Sequence, residues 1–319
     1  MNLQTKIPLK PNRYNQIDYN SKVLLLGSCF SENIGEKFEF FKFQKLQSPF
    51  GILFHPLAIE NLITNAINEK EYTKDDIFFH NEQWHCYDAH SKLSNASEIE
   101  LLQNLNNQIK NTHQFLKDAS HVILTLGTGW AYRFIETDNY VANCHKIPQK
   151  QFLKELLSVA QISESLEAIM SLVKSVNPNV AFVFTVSPVR HIKNGFVENM
   201  QSKAHLIAAI HDVISDRSLS AVKGYFPSYE IMMDELRDYR FYSEDMLHPN
   251  TTAVNYIWER FVEVHISEDT KKTMTAIDDI QKGLAHRSFN PNSQAHQAFL
   301  TQLDEKKQLL MSKFPHITF

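Results

Sequence analysis

Ser28 near the start of the chain, and Asp245 and His248 near its end, have the side chains that nucleophilic acyl chemistry needs. A serine hydroxyl is a poor nucleophile at neutral pH until an imidazole takes its proton, and a carboxylate fixes the tautomer of that imidazole. In Ser243-Glu-Asp-Met-Leu-His-Pro-Asn250 the acid and the imidazole stand three residues apart, so one turn can aim both the same way. Short acidic loops produce Asp-x-x-His by chance, and the spacing alone is a weak signal. Ser28 closes the apolar run of Val23-Leu-Leu-Leu-Gly-Ser-Cys-Phe30, which reads as a buried strand ending in a tight turn. Beyond it, residues 31–41 carry Ile34, Phe38 and Phe41 between charged residues, the pattern of an amphipathic helix. A serine between such elements lies at the carboxyl edge of a parallel sheet, where open α/β folds place ligands. The helix dipole there favours negative charge. The competing reading is a plain helix N-cap.

The elements that would hold these residues can be read coarsely. Residues 43–46, 121–126 and 180–186 read as further strands, and residues 56–67, 97–116, 151–176, 197–215 and 251–264 as helices. Strands alternating with helices predict an α/β fold, a three-layer α/β/α sandwich with a mostly parallel sheet. Residues 72–95 and 130–147 fit the helical pattern poorly and read as insertions, or as a small antiparallel β element beside the active edge. No repeat, low-complexity run or flexible linker divides the chain. The expected organisation is one catalytic domain over residues 1–266, followed by a helical C-terminal extension over 267–319 that includes a helix at 292–313.

With 319 residues, 43% of them hydrophobic, the chain can bury a substantial core. A net charge of −4 offers no attraction for nucleic acid or an anionic membrane. The N-terminal segment has no apolar core, and residues 23–26 are too short to span a bilayer. Three cysteines without metal-ligand spacing point to free thiols and a cytoplasmic setting. No metal or cofactor is expected, and the oligomeric state is open.

Gly27-Ser28-Cys29-Phe30 together with Asp245-Met-Leu-His248 resembles the GSCFA family, a branch of the SGNH/GDSL hydrolase superfamily. Pro49-Phe-Gly-Ile-Leu-Phe-His-Pro56, Asn143-Cys-His-Lys146, Thr185-Val-Ser-Pro-Val-Arg-His191 and Tyr225-Phe-Pro-Ser-Tyr-Glu230 resemble that family's blocks in its order. The resemblance covers roughly residues 20–265. It implies an SGNH-hydrolase, flavodoxin-like sheet with Ser28 as nucleophile, His248 as base and Asp245 as orienter. It also implies three oxyanion donors: the Ser28 amide, a glycine amide after the second strand, which Gly51 fits, and an asparagine after the third. Here the chain departs from the pattern, because Gly127-Thr128-Gly129 follows that strand; Thr128 or Asn143 would have to serve. Loss of one such donor typically costs ~10²–10³ in rate.

Other residues have a functional and a structural reading. Cys29 shares the helix N-terminus, which lowers a thiol pKa, yet cysteine is also among the residues most often buried. Cys144-His145 is a second thiol–imidazole pair, although sequence neighbours seldom bond productively. His80, His85, Cys86 and His90 resemble a metal cluster in composition, but strand alternation sends His85 and Cys86 to opposite faces. His90 is instead a candidate pocket residue. Arg190, beside His191, suits a carboxylate or phosphate of the substrate, or an internal acid. Trp84, Trp130 and Tyr132 can stack on sugars or fill a local core. The expected activity is hydrolysis of an O-acyl ester of a small molecule or carbohydrate. The alternatives are acyl transfer by the same triad, an idle glycan- or metabolite-binding module, and phosphate binding at the Ser28 turn. The last is disfavoured by the lone glycine and the missing lysine there.

Overall fold

Apolar runs with no polar face must be covered on both sides, and here they pair in parallel at the centre of the molecule. The computed structural model describes residues 4–216 and 222–319, so the first three residues of the N-terminal segment lie outside it. The strands in chain order are β1 (Lys22–Gly27), β2 (Gln44–Gln47), β3 (Phe78–His80), β4 (Gln83–His85), β5 (His121–Leu126), β6 (Trp130–Phe134), β7 (Asn139–Val141), β8 (Phe152–Leu156), β9 (Ala181–Val186) and β10 (Val222–Phe226). The helices are α1 (Cys29–Phe40), α2 (Pro56–Ile67), α3 (Glu98–Asp118), α4 (Val159–Val176), α5 (Phe196–Ser215), the short α6 (Ser228–Glu230), α7 (Thr251–His265), α8 (Glu268–Ala285) and α9 (Gln294–Lys313).

The central sheet has the order β10-β9-β5-β1-β2, and every neighbouring pair is parallel. Successive side chains leave a strand on opposite faces. Leu24, Leu26, Val122, Leu124, Phe182 and Phe184 therefore pack into one core with α2, α3, α4 and α5. Val23, Leu25, Ile123 and Val183 pack into the other, with α1, α7 and α8. The result is the expected three-layer α/β/α arrangement. The register puts Gly27 beside Thr125 and Thr125 beside Thr185, so three central strands end at one level. The functional loops all leave from that edge.

The C-terminal helices continue the second layer. Met274 and Ile277 of α8 enter its core, Leu303 of α9 packs on Gly283, and Phe314 lies 5.0 Å from the Tyr19 ring. No helix among the described residues is long and apolar enough to cross a membrane.

The two poorly helical segments form antiparallel β structure. β3 and β4 make a hairpin whose turn residues Asn81 and Glu82 both have positive φ, the twist that suits a two-residue connection. β7-β6-β8 form a separate three-stranded sheet. The helix expected over 151–176 is shorter at its start. Residues Phe152–Leu156 are β8, paired antiparallel to β6, and α4 begins only after Ser158, whose hydroxyl and Gln161 close a capping box. Phe152 packs on Phe134, at 5.3 Å between ring centres and a 39° tilt, beside the ladder to β6 that keeps the segment extended.

Gly27 shows how tightly β1 meets β5. Its φ is +132°, and a Cβ there would lie 2.0 Å from the Thr125 carbonyl oxygen. Gly27→Ala should destabilise the fold by ~3 kcal/mol or more, from backbone strain and collision together. A urea midpoint equal to wild type would show that β1 does not end in this geometry.

Candidate active site

Ser28 occupies the N-cap position of α1 with an extended backbone, yet its hydroxyl makes no capping hydrogen bond. Its Oγ is fully buried and has no partner. Helix capping therefore does not explain this serine. Sequence reasoning anticipated a hydroxyl open at the sheet edge, and the structure corrects this to 0% exposure. The cause is crowding: a Cβ on Gly127 would lie 3.1 Å from the Ser28 Cβ, 3.1 Å from the Phe54 carbonyl and 3.4 Å from His191 Nε2.

Asp245 and His248 form the dyad their spacing suggested. His248 Nδ1 lies 2.6 Å from Asp245 Oδ2, while Asp245 Oδ1 accepts the Leu247 and His248 amides at 2.9 and 3.0 Å. Those two amides and the imidazole hold the carboxyl down to about 2, so it is ionised throughout the neutral range. Ionised, it keeps a proton on Nδ1 and leaves Nε2 as the basic nitrogen. Met246, with φ +60°, makes the tight turn. Asn250 then caps α7 by accepting the Ala253 amide. Both dyad side chains are half exposed, unlike Ser28. Since Ser28 Oγ has no partner, no Ser28–His248 hydrogen bond is formed in this state.

Backbone hydrogen bonds lace the edge loops together. Leu53 N donates to Gly27 O, and Gly127 N and Thr128 N both donate to Phe54 O. Arg190 N donates to Leu247 O, tying the loop after β9 to the dyad loop. Lys203 of α5, 1% exposed, donates from Nζ to Gly127 O at 2.8 Å and Ser187 O at 2.7 Å. Burial pushes its ammonium down to about 7.

Lys203 belongs to a group that sequence reasoning missed. Asn199, Ser202 and Lys203 share the inward face of α5, which continues through Leu206, Ala209, Ile210 and Val213. Polar residues at i, i+3 and i+4 on an otherwise apolar face were the available signal. Ser202 Oγ accepts the Gly129 amide and bonds the Thr128 hydroxyl. Asn199 Oδ1 accepts the His191 amide at 2.9 Å, and its Nδ2 is buried without a partner. His191 Nε2 is also buried without a partner. Burial, with Lys203 and His248 nearby, holds this imidazole down to about 3.

Several expected oxyanion donors are already engaged. The Ser28 amide donates to Thr125 O at 2.9 Å and the Gly51 amide to Ser48 O at 2.7 Å, because each closes the turn that ends its strand. Gly51 has φ +73°, and a Cβ there would meet the His90 Cβ at 2.6 Å, so a close approach explains this glycine. The Thr128 hydroxyl is occupied by Ser202 and the Trp130 amide. Asn143 Oδ1 accepts from His145 N and Ser91 Oγ. His90 accepts the Lys92 amide, and its ring lies 6.3 Å from that of Phe54. Arg190 forms no ion pair among the described residues; its guanidinium lies 5.4 Å from the Phe196 ring centre, and its Nε is buried without a partner.

The thiols are raised, not lowered. Burial and Glu32 outweigh the helix amides at Cys29, and burial takes Cys144 up to about 11. His145 bonds Cys86 O and Ser91 Oγ rather than its sequence neighbour. Both ring nitrogens of His85 are likewise taken, by Ser94 Oγ and His80 O. Among the described residues no cluster of three or more His, Cys, Asp or Glu side chains could hold a metal ion.

A cavity of about 460 Å³ opens behind the loops that pack on Ser28; Ser28, Asp245 and His248 are not among the residues that line it. Phe54, Thr128 and His191 line it on the serine side, Trp130 and Tyr132 on the β6 side, and Asn143 beyond β7. Residues 130 and 132 alternate onto one strand face, which is why both aromatics reach the same space.

Lys203 is the buried charge whose cost can be measured. Its folded value of about 7 lies below the ordinary 10.5, so between these values the unfolded chain binds the extra proton and stability rises with pH. Compared with Lys203→Met, wild type should gain up to ~1.4 kcal/mol per pH unit across that window. Denaturant unfolding of both proteins at several pH values checks this; a pH-independent difference would rule it out.

The profile of the GSCFA family matches residues 22–261, and that of a GSCFA domain protein C-terminal domain matches residues 277–319. No curated protein matches the chain. The first match spans the sheet, Ser28, the cavity and the Asp245–His248 dyad, and the second falls on the helices packed behind α1. The chain belongs to the GSCFA family.

Proposed function

We propose that the chain is a serine acyl hydrolase of SGNH type, with Ser28 as nucleophile, His248 as base and Asp245 as its orienter. The observation that carries this reading is the 2.6 Å Asp245–His248 pair, on a loop tied to the sheet edge that ends in Ser28. The Ser28 hydroxyl has no hydrogen bond to break before it turns toward an imidazole. In the cycle, Ser28 Oγ attacks the ester carbonyl and its proton passes to His248 Nε2. The carbon–oxygen bond to the alcohol then breaks, and the alcohol leaves with that proton. Water, deprotonated by the same imidazole, attacks the acyl-enzyme; the free acid departs and Ser28 is restored.

The tetrahedral intermediate needs donors aimed at its oxyanion. Asn199 Nδ2, buried and unpaired, takes the place of the superfamily's asparagine after the third strand. A carbohydrate O-acyl ester is the substrate class, and the aromatic wall of Trp130 and Tyr132 supports a ring in the cavity.

Acyl transfer to a second hydroxyl is the other reading with an observation in its favour. Ser28 is 0% exposed, and an acyl-enzyme formed there would be screened from water.

Turnover of 4-nitrophenyl acetate, with and without a polyol acceptor, tests both. Ser28→Ala and Asp245→Asn should each lower the rate by ~10³-fold or more. Undiminished turnover in Ser28→Ala would remove the serine from the chemistry. A folded wild type inactive with either acceptor would favour the binding-module reading.

A further inference from the structure

The cavity behind the loops that pack on Ser28 has a charge character that the chain as a whole lacks. The sequence carries 36 acidic and 32 basic side chains, yet no carboxylate lines this cavity, and Lys146 and Lys193 do. A third ammonium, that of Lys154, lies 4.7 Å from the centre of the Trp130 ring and donates to Asn194 on the cavity wall. Burial first and Lys193 second push the Lys154 ammonium down, and Glu198 offsets this only in part. Some lysines elsewhere are paired, as Lys22 is with Asp118, Lys92 with Glu32 and Lys282 with Asp278, while others, Lys42, Lys110 and Lys150 among them, form no ion pair among the described residues. Among the described residues Lys146, Lys154 and Lys193 have no ion-pair partner. Like charges gathered around a concave site, with Glu198 balancing Lys154 only in part, raise the local concentration of anions.

The remaining polar groups narrow the ligand. Two of the three imidazoles on the wall are committed to the fold. His55 bonds Val141 O and the Ala58 amide, and His145 bonds Cys86 O and Ser91 Oγ. Burial holds both down to about 4, so at neutral pH they add no positive charge. The lysines alone supply it. The opposite wall is aromatic, and Asn143, Gln149 and Asn194 add the amide groups that recognise hydroxyls.

We propose that this cavity binds a hydroxylated ring bearing a carboxylate or phosphate group, with the ring against Trp130 and Tyr132 and the anion at Lys146 and Lys193. In the acyl-transfer chemistry above, that ring is the alcohol half of the ester, presented to Ser28 past Phe54, Thr128 and His191. That placement rests on the proposed function; the binding itself does not, and it can be measured in a protein that cannot turn over.

The probes are D-glucuronate, D-glucose 6-phosphate and D-glucose, titrated calorimetrically and by tryptophan fluorescence into the Ser28→Ala chain. At least one anionic sugar should bind ~10-fold or more tighter than glucose, a preference equivalent to one charge-assisted contact. Its affinity should fall between ~0.02 and ~0.5 M salt, as exposed ammonium contacts are screened. The double variant Lys146→Ala/Lys193→Ala should lose the preference, and Trp130→Phe should lose the fluorescence change. Binding of glucuronate alone assigns a carboxylate, and of the sugar phosphate alone a phosphate. Glucose binding as tightly as the anions, a preference that survives the double lysine variant, or no binding of any probe would overturn the proposal. A wild-type chain that forms no acyl-enzyme, while Ser28→Ala binds the anionic sugar, would refute the hydrolase reading and leave the anion site standing.

Discussion

The hydrogen bond from the Ser28 amide to the Thr125 carbonyl is the contact on which the edge of this sheet depends. It ends β1 one residue beyond the register shared with β5. It also leaves no room for a side chain on Gly27, whose Cβ would fall on that same carbonyl. Ser28 is thus placed by two strands at once, before any side chain contributes. From it a relay of main-chain bonds runs along the edge: Gly27 to Leu53, Phe54 to Gly127 and Thr128, and Arg190 to Leu247. Lys203 bridges the ends of β5 and β9 within it. Loops usually tolerate change because little crosses them; here each loop is fastened to the next through carbonyls that no substitution can delete.

Burial separates the two halves of the proposed machinery. Ser28, Asn199 and Lys203 lie inside, as does the Nε2 atom of the half-buried His191, and three polar atoms of this group are left without partners. An unpaired buried donor is costly, and the Ser28 hydroxyl and Asn199 Nδ2 are two such groups, at the end of β1 and on the inward face of α5. A reacting ester would use both. The Asp245–His248 dyad is half exposed, and its order comes from two backbone amides clamped on one carboxylate oxygen. The dyad is thus reached by solvent while the Ser28 hydroxyl is not.

Much of this was legible in the chain itself. Residues 56–67 and 121–126 have the expected bounds, because a proline at the first helical turn and an unbroken apolar run leave few alternatives. The proximity of Asp245 and His248 followed from i, i+3 spacing. Residues 151–156 misled because Phe152, Leu153 and Leu156 also fit a helix, and only the partner strand β6 decides between the two periods. The amides of Ser28 and Gly51 could not be judged at all, since the acceptor of a backbone N–H is set by which turn closes over it. Asn199 and Lys203 were visible as interruptions of an apolar stripe, but their meaning depends on the backbone amide and carbonyls that other loops bring to them.

Whether Ser28 is an activated nucleophile is the question that decides the rest. Intact-mass spectrometry after treatment with a small fluorophosphonate, on the wild-type chain and on Ser28→Ala, answers it directly. A single adduct that maps to Ser28 and is absent from the variant is the expected result, because only a hydroxyl served by a nearby base displaces fluoride at a useful rate. No adduct on folded wild-type protein, or an equal adduct on the variant, would contradict the assignment of Ser28, His248 and Asp245 as one catalytic unit.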